Sequence, residues 1–147
     1  MTHQEIFDKL PYTQPFLFVD TINEVSDKHI KGDYTFVDTA DFYRGHFENF
    51  PVTPGVILLE CMMQIGLVSL GIYLLREKNI DLKNNASVAM TENNAQFFKP
   101  VFPNEKVSVQ SELEYFRFHK LKAKVKMFNQ AGELVCSGIF SGILKPS

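Results

Sequence analysis

The feature that most constrains this chain is an apolar run that extends from Val56 to Leu75. Within those twenty residues only Glu60, Gln64 and Ser69 are polar, and none is basic. A run of this length and composition indicates a helix that is apolar on all sides. Such a helix is buried either in a membrane or in the core of its own protein.

Residues on both sides of the run mark where the helix begins and ends. Thr53 suits the N-cap position, and Pro54 suits the first helical position because its missing N–H would have no partner there. Arg76 and Lys78 suit the negative end of the helix dipole. The sequence therefore predicts one helix over residues 54–78.

The polar residues of the run decide between a membrane span and a core helix. A transmembrane placement would put the side chains of Glu60 and Gln64 in the hydrocarbon, which is costly. No cluster of basic residues marks a cytoplasmic side. We therefore expect no membrane insertion and predict that the helix is buried within the protein.

Strand patterns lie on both sides of this helix. A short helix over 2–10 comes first, with capping-box spacing between Thr2 and Glu5. The segment 38–51 is expected to be irregular, and 129–132 to form a hairpin turn. The predicted strands are 16–26, 29–37, 86–100, 105–116, 120–128 and 133–144. Polar and apolar residues alternate cleanly in two of them, which is typical of an antiparallel sheet with one buried face. The prediction is a two-layer α+β domain, with one helix against five or six strands.

Composition narrows the class of protein. A chain of 147 residues predicts a single domain over 1–147. The net charge of −2, with no long block of like charge, argues against nucleic acid as a partner. Cys61 and Cys136 lie in apolar stretches without metal-ligand spacing, so we interpret them as buried free thiols. The N-terminus "MTHQEIFDKL" lacks a signal-peptide core, so we expect a cytoplasmic protein.

The start of the apolar helix and the loop before it carry the candidate catalytic groups. A helix that begins at Pro54 has free backbone N–H groups, one of them from Gly55, and these can bind a developing oxyanion. Glu60 follows, and the amide of Gln64, four residues later on the same face, can hold its carboxyl. Burial is expected to raise the pKa of Glu60. His46 lies on the preceding loop. A base, an acid and an oxyanion donor are what proton abstraction beside a carbonyl needs.

Each of these residues also has a simpler explanation. A buried glutamate can be a structural hydrogen-bonding partner of Gln64, and a histidine in a polar loop is often incidental. His46 and Glu60 are fourteen residues apart. Their spacing and the Pro-Gly helix start favour an active site without establishing that the two groups meet.

The stretches "LPYTQPFLFVD", "GHFENFPVTPGVILLE" and "CMMQ" resemble the 3-hydroxyacyl-[acyl-carrier-protein] dehydratases of type II fatty-acid synthesis, of the FabZ type. The later "FFKPVFPNEKV" is similar to another element of that family. The resemblance covers nearly the whole chain and is most specific in the central motif. It implies the hotdog fold, in which an antiparallel sheet wraps around one long central helix.

The resemblance also implies roles for individual residues. It makes His46 the catalytic histidine, Glu60 the catalytic carboxylate and Gly55 the backbone donor to the thioester carbonyl, with Gln64 supporting Glu60. It implies a homodimer, alone or in a trimer of dimers, in which each site draws His46 from one subunit and Glu60 from the other. No metal or redox cofactor is implied.

The implied reaction is dehydration of a 3-hydroxyacyl thioester, carried by acyl carrier protein, to the trans-2-enoyl thioester. We expect the acyl chain to run along an apolar tunnel, although an ordinary core role stays open for each lining residue. The candidates for the tunnel wall are Phe47, Phe50, Pro54, Phe97 and Phe98.

An acidic carrier protein would dock on basic residues around the tunnel mouth. The candidates for this surface are Arg44, Lys99 and Lys106, whereas the lysines from Lys120 to Lys126 fit a solvated strand face better.

The chain departs from the family pattern at several positions. Tyr12 stands where histidine is usual, Glu48 and Asn49 replace a Pro-Gly pair, Thr53 replaces a frequent methionine and Asn104 a glycine. None of these changes removes a catalytic group. They leave open fatty-acid synthesis or a related polyene or polyketide pathway.

Two other functions stay open at this stage. One is an acyl-CoA or acyl-carrier thioesterase, because that activity shares the fold and also places a carboxylate on the helix. The other is a non-catalytic subunit that binds an acyl carrier. Glutamate rather than aspartate at position 60 favours a plain dehydratase over a dehydratase–isomerase.

Overall fold

A computed structural model describes residues 1–78, 80–84 and 86–146. The helices are α1 (His3–Asp8), α2 (Phe42–Gly45), α3 (Gly55–Met63), a π-helix (Gln64–Ser69) and α4 (Leu70–Leu74). The strands are β1 (Thr21–Val25), β2 (His29–Thr35), β3 (Ala86–Phe97), β4 (Lys106–Arg117), β5 (Lys120–Phe128) and β6 (Leu134–Pro146). We call the continuous segment Gly55–Leu74, made of α3, the π-helix and α4, the central helix.

All six strands form one antiparallel sheet in the order β1-β2-β4-β5-β6-β3. The alternation predicted for β5 is present, because Leu121, Ala123, Val125 and Met127 are buried while the lysines between them face outward. The hairpin predicted at 129–132 joins β5 to β6, with Gly132 at φ 79° in the left-handed region. In the strand order, β3 comes last. It is therefore an edge of the sheet, and among the described strands it pairs with β6 alone.

The central helix lies against the buried face of the sheet, and every residue from Cys61 to Ile72 is buried. It has 20 residues, and its most apolar 18-residue window has a mean hydropathy of 1.9, which by length and composition would suffice to cross a membrane. However, 72% of the apolar window is buried within the protein, as in the core helix of a soluble protein. The prediction of a core helix, and with it the α+β hotdog architecture, is confirmed.

The central helix differs from its prediction at both ends and in the middle. Thr53 is not the N-cap: its hydroxyl bonds the hydroxyl of Tyr43 at 2.5 Å, and the helix begins at Gly55. The helix ends at Leu74 rather than at 78. Arg76 then folds back to donate to the Tyr73 carbonyl at 3.0 Å, so it does stabilise the C-terminal end.

The middle of the central helix widens into the π-helix, which the sequence did not predict. In a π-helix each N–H reaches five residues back. The Ser69 hydroxyl donates to the Gln64 carbonyl at 2.7 Å. Gly66 lies where the helix meets the sheet, and a Cβ there would lie only 2.9 Å from Val125. The small residue therefore permits the close approach of helix and strand.

The remaining elements match the prediction with two further corrections. The capping box at Thr2 and Glu5 is present, with bonds of 3.0 and 3.1 Å. The first strand begins at Thr21 instead of 16, because the backbone of 16–18 bonds a side chain of the central helix instead of a neighbouring strand. The segment 38–51 is not wholly irregular, since it contains α2.

Candidate active site

The N-terminal end of the central helix presents free backbone donors. Pro54 starts the hydrogen bonding by accepting from Ile57 and Leu58 at 2.9 and 3.2 Å. Within the described chain, the backbone N–H groups of Gly55 and Val56 donate no hydrogen bond. These two groups lie at the positive end of the helix dipole and can bind an oxygen that gains negative charge.

A closed loop holds His46 beside this helix end. The backbone N–H of Val52 donates to the His46 carbonyl at 3.0 Å, and Phe47 and Phe50 exchange two backbone bonds within the loop. The His46 ring is half-buried, and its Nδ1 lies 2.8 Å from the Val52 carbonyl oxygen.

This contact fixes the tautomer of His46. A carbonyl oxygen can only accept, so the proton must be on Nδ1. In the neutral ring, Nε2 then carries the free lone pair. His46 is therefore arranged to accept a proton at Nε2.

Glu60 is half-buried on α3, and its carboxylate accepts a hydrogen bond of 2.9 Å from Gln64 Nε2. Burial raises the pKa of Glu60, and the bond from Gln64 opposes that rise. A carboxyl with a raised pKa stays protonated to higher pH, which suits a group that donates a proton.

The oxygen and the nitrogen of the Gln64 amide both make hydrogen bonds. Gln64 is 0% exposed, accepts from the Phe18 backbone N–H at 2.8 Å and donates to the Phe16 carbonyl at 3.0 Å, in addition to Glu60. Gln64 therefore joins the segment 10–18 to the central helix and fixes the position of the Glu60 carboxyl.

Glu60 opens onto a groove of about 350 Å³. Its wall combines the segment after α1, the side of α3 and the first half of β3, and is apolar apart from the side chains of Tyr12 and Glu60. The lining residues are Pro11, Tyr12, Phe16, Glu60, Met63, Leu82, Val88, Ala89 and Met90. Most of the lining side chains are apolar, but polar atoms make up more than half of the exposed lining, so the groove can hold a ligand with both apolar and polar parts. We call this the Glu60 groove.

A second groove, also of about 350 Å³, lies at the helix start, and we call it the Gly55 groove. It is lined by Thr53, Gly55, Leu58, Phe97, Phe98, Lys99 and Pro100. The Phe97 ring covers Gly55 so closely that a Cβ at position 55 would lie 3.2 Å from it. A larger residue at position 55 would push against this ring, whereas glycine leaves the backbone close to the groove.

The predicted tunnel residues are on the surface of the single chain. Phe97 and Phe98 line the Gly55 groove, whereas Phe47 stacks on the His46 ring at 3.9 Å between centroids and Phe50 contacts Phe102. All four predicted phenylalanines are exposed, and Pro54 is half-buried at the helix start. Such a concentration of exposed aromatic surface is typical of an interface.

The structure brings together Glu60 with Gln64, and His46 with Val52, three residues before the helix start. Among the described residues, no hydrogen bond or ion pair joins His46 to Glu60. The two grooves contact opposite ends of β3, since one includes Val88 to Met90 and the other includes Phe97.

The three basic residues proposed for carrier docking each have an acidic neighbour on the surface. Arg44 pairs with Asp41 at 3.2 Å, Lys99 with Glu133 at 3.1 Å and Lys106 with Asp33 at 3.5 Å. Lys99 lines the Gly55 groove, and Lys106 lines a separate groove of about 550 Å³. The Arg44 and Lys99 pairs are exposed, so they are weak and leave these two cations accessible to a partner.

Sequence reasoning missed Tyr12 as a site residue. It is half-buried in the Glu60 groove, and its hydroxyl has no hydrogen-bond partner within the described chain. Two features of the sequence could have indicated it. Tyr12 lies between Pro11 and Pro15, and it stands where the family usually has histidine.

A sheet that wraps around one buried helix, with free amides at the helix start and a carboxyl on the helix, defines a hotdog-fold protein. Solved structures share this fold. The dehydratase heterocomplex ApeI:P from Xenorhabdus doucetiae has a TM-score of 0.80 at 14% identity, over 97% of this chain and 91% of that chain. A hypothetical thioesterase with coenzyme A from Streptococcus pneumoniae TIGR4 has a TM-score of 0.61 at 14% identity, over 86% and 85%. At such identities the likeness concerns the fold alone.

The sequence itself identifies the family. Residues 10–138 match the FabA-like domain. The chain is 32% identical to the 3-hydroxyacyl-[acyl-carrier-protein] dehydratase FabZ of Bacillus velezensis, over 90% of each chain. It is 35% identical to the FabZ of Caldicellulosiruptor bescii, over 91% of each. The chain therefore belongs to the FabA-like family and is of the FabZ type.

Proposed function

We propose that this protein dehydrates 3-hydroxyacyl-[acyl-carrier-protein] to trans-2-enoyl-[acyl-carrier-protein] and is a hydro-lyase. The observation that carries the proposal is the half-buried Glu60 carboxyl, held by Gln64 at an apolar groove in a chain of the FabZ type. The reaction belongs to fatty-acid synthesis, with a polyene or polyketide pathway as the specialised variant. The protein works in the cytoplasm.

The first step is removal of a proton from C2 of the substrate. The N–H of Gly55 binds the thioester carbonyl oxygen and stabilises the negative charge that develops there. His46 Nε2 takes the C2 proton, since its Nδ1 is committed to the Val52 carbonyl.

The second step is loss of the C3 hydroxyl. The electron pair left at C2 forms the C2–C3 double bond while the C3–O bond breaks. Glu60 donates its proton to the departing oxygen, so the products are water and the enoyl thioester. A proton then passes from His46 to Glu60 to restore the starting state.

The separation of the two grooves is the argument for a dimer. A strand rises about 3.4 Å per residue, so Met90 and Phe97 on the same β3 are roughly 24 Å apart. Gly55 and Glu60 are only about 7.5 Å apart along the axis of α3. The grooves onto which they open nevertheless contact these two opposite ends of β3. Antiparallel pairing of β3 with β3 of a second copy would place the Met90 end of one chain beside the Phe97 end of the other.

The exposed edge of β3 is suited to such pairing. It is a 12-residue edge strand, and most of its described side chains are exposed. A long unpaired edge is a template for another strand. In this arrangement each active site combines His46 and Gly55 of one copy with Glu60 and Gln64 of the other, and the exposed phenylalanines become the tunnel wall. The carrier protein docks on basic residues near its mouth, of which Lys99 is the best placed.

The test uses two single variants and their mixture. His46→Ala and Glu60→Gln homodimers are each expected to lose nearly all water release from a 3-hydroxyacyl carrier. Mixed dimers, co-expressed with two different tags and purified on both, retain one intact site. They should recover about half of the wild-type rate per dimer. Near-wild-type rates in either single variant would refute the catalytic roles.

Inactive mixed dimers would refute the shared site while leaving the reaction itself in place. The same assay monitors free thiol. Thiol release in place of the enoyl product would identify the protein as a thioesterase, and tight carrier binding without turnover would identify it as a non-catalytic partner.

A further inference from the structure

The Glu60 groove contains a second polar side chain, that of Tyr12. Its position is fixed by the same amide that holds Glu60. Gln64 bonds the backbone at Phe16 and Phe18, while Leu10, at the other end of this segment, is buried in the core. The segment between these anchors has little freedom, so Tyr12 is held at the wall of the groove.

The Tyr12 hydroxyl is available to a ligand. It has no hydrogen-bond partner among the described residues, although half-buried tyrosine hydroxyls usually have one. Burial raises the pKa of Tyr12, and the nearby charge of Glu60 adds to the rise. The phenol therefore keeps its proton and is a hydrogen-bond donor, not a base.

The surroundings of Tyr12 limit what its hydroxyl can bind. Apart from Tyr12 and Glu60, the side chains that line the groove are apolar. The groove can therefore hold a hydrocarbon chain that carries a polar substituent near the two polar side chains. An acyl chain with a single hydroxyl has this pattern.

We propose that Tyr12 is a substrate-binding residue that donates a hydrogen bond to the 3-hydroxyl of the acyl chain, so that this oxygen is held by Tyr12 and Glu60 together. The inference rests on the proposed function, because it assumes that the groove receives a 3-hydroxyacyl chain. Tyr12 then distinguishes the hydroxylated substrate from a saturated chain of the same length.

The experiment measures binding in the absence of turnover. In the His46→Ala background, dissociation constants are measured for 3-hydroxyhexanoyl and hexanoyl carrier protein, with Tyr12 and with Tyr12→Phe. One uncharged hydrogen bond corresponds to about a three- to tenfold change in affinity. Tyr12→Phe should weaken binding of the 3-hydroxy ligand by that factor and leave binding of the saturated ligand unchanged.

Tyr115→Phe is the matched control. It removes the same hydroxyl from a residue on β4 whose ring lies against Arg117, outside both grooves, and should change neither affinity. Equal weakening of both ligands by Tyr12→Phe would overturn the proposal, because it would mean that Tyr12 only shapes the groove. Two other results would overturn it as well. One is equal affinity of the Tyr12 protein for the 3-hydroxy and the saturated ligand, and the other is an unchanged affinity of Tyr12→Phe for the 3-hydroxy ligand. The wild-type turnover assay tests the dehydratase function separately.

Discussion

Replacing Gln64 by leucine tests the idea that one amide organises the site. The change keeps the size of the side chain but removes its acceptor and its donor. The backbone N–H of Phe18 then loses its partner in the buried interior, and the carbonyl of Phe16 loses its own at a partly exposed position. Glu60 loses the bond that opposes the rise of its pKa.

The expected cost follows from these lost bonds. A buried donor without a partner costs about 1–3 kcal/mol, whereas the Phe16 carbonyl can recover part of its loss from water. Leucine gains apolar contacts that offset some of this. We expect a net loss of about 2 kcal/mol in the free energy of unfolding, which corresponds to a fall of about 4–8 °C in Tm for a chain of this size.

The assay is urea and thermal unfolding followed by circular dichroism at one fixed protein concentration, since association affects the transition. Gln110→Leu is the control, because Gln110 lies half-exposed on β4 and its side chain makes no hydrogen bond within the described chain. Its effect should stay within about 0.5 kcal/mol. In the turnover assay, Gln64→Leu should move the Glu60-dependent limb of the pH profile to higher pH. Equal stability of the two variants would refute the organising role of the amide.

Two further substitutions test the packing and the charge of the central helix. Gly66→Ala should lower the free energy of unfolding by about 1–2 kcal/mol, because its Cβ would lie 2.9 Å from Val125. Gly45→Ala is the control, since a Cβ there meets open space and should not destabilise the fold. Similar melting temperatures for the two variants would contradict this packing. Glu60→Gln should melt higher than the wild type at pH 8 but not at pH 4. The raised pKa means that ionised Glu60 destabilises the fold above that pKa and not below the unfolded value, so a pH-independent difference in Tm would contradict the assignment.

Much of the fold could be predicted because its patterns are local. The alternation in β5 and the turn at 129–132 involve neighbouring residues, and both are confirmed. The turn between β4 and β5 was not predictable in this way, since Phe118 and His119 both have positive φ, where Asn-Gly is the usual choice. The π-helix was not predicted either, and within it Gly66 packs against Val125, a contact between segments that are distant in the sequence.

In the candidate site too, the local contacts were predicted from the sequence and the long-range contacts were not. The bond between Glu60 and Gln64 spans four residues on one helix and was predicted from that spacing. The bonds from the same amide to Phe16 and Phe18 span 48 and 46 residues, and nothing local indicates them. The place of Tyr12 in the Glu60 groove depends on those long-range bonds, so the neighbouring residues in the sequence were only a weak signal for it.

The burial of the central helix explains why the site is built at the helix start. From Cys61 to Ile72 every residue is buried against the sheet, so a carboxylate at any of these positions would be sealed from a substrate. Glu60 is the last residue before that stretch, and Gln64 can support it from within because an amide needs no solvent once its bonds are made. The position of the carboxyl is therefore a consequence of the core. A helix with so little accessible surface leaves little room for a second reacting group. This supports the proposal that the base comes from a loop of another copy of the chain, across the β3 edge.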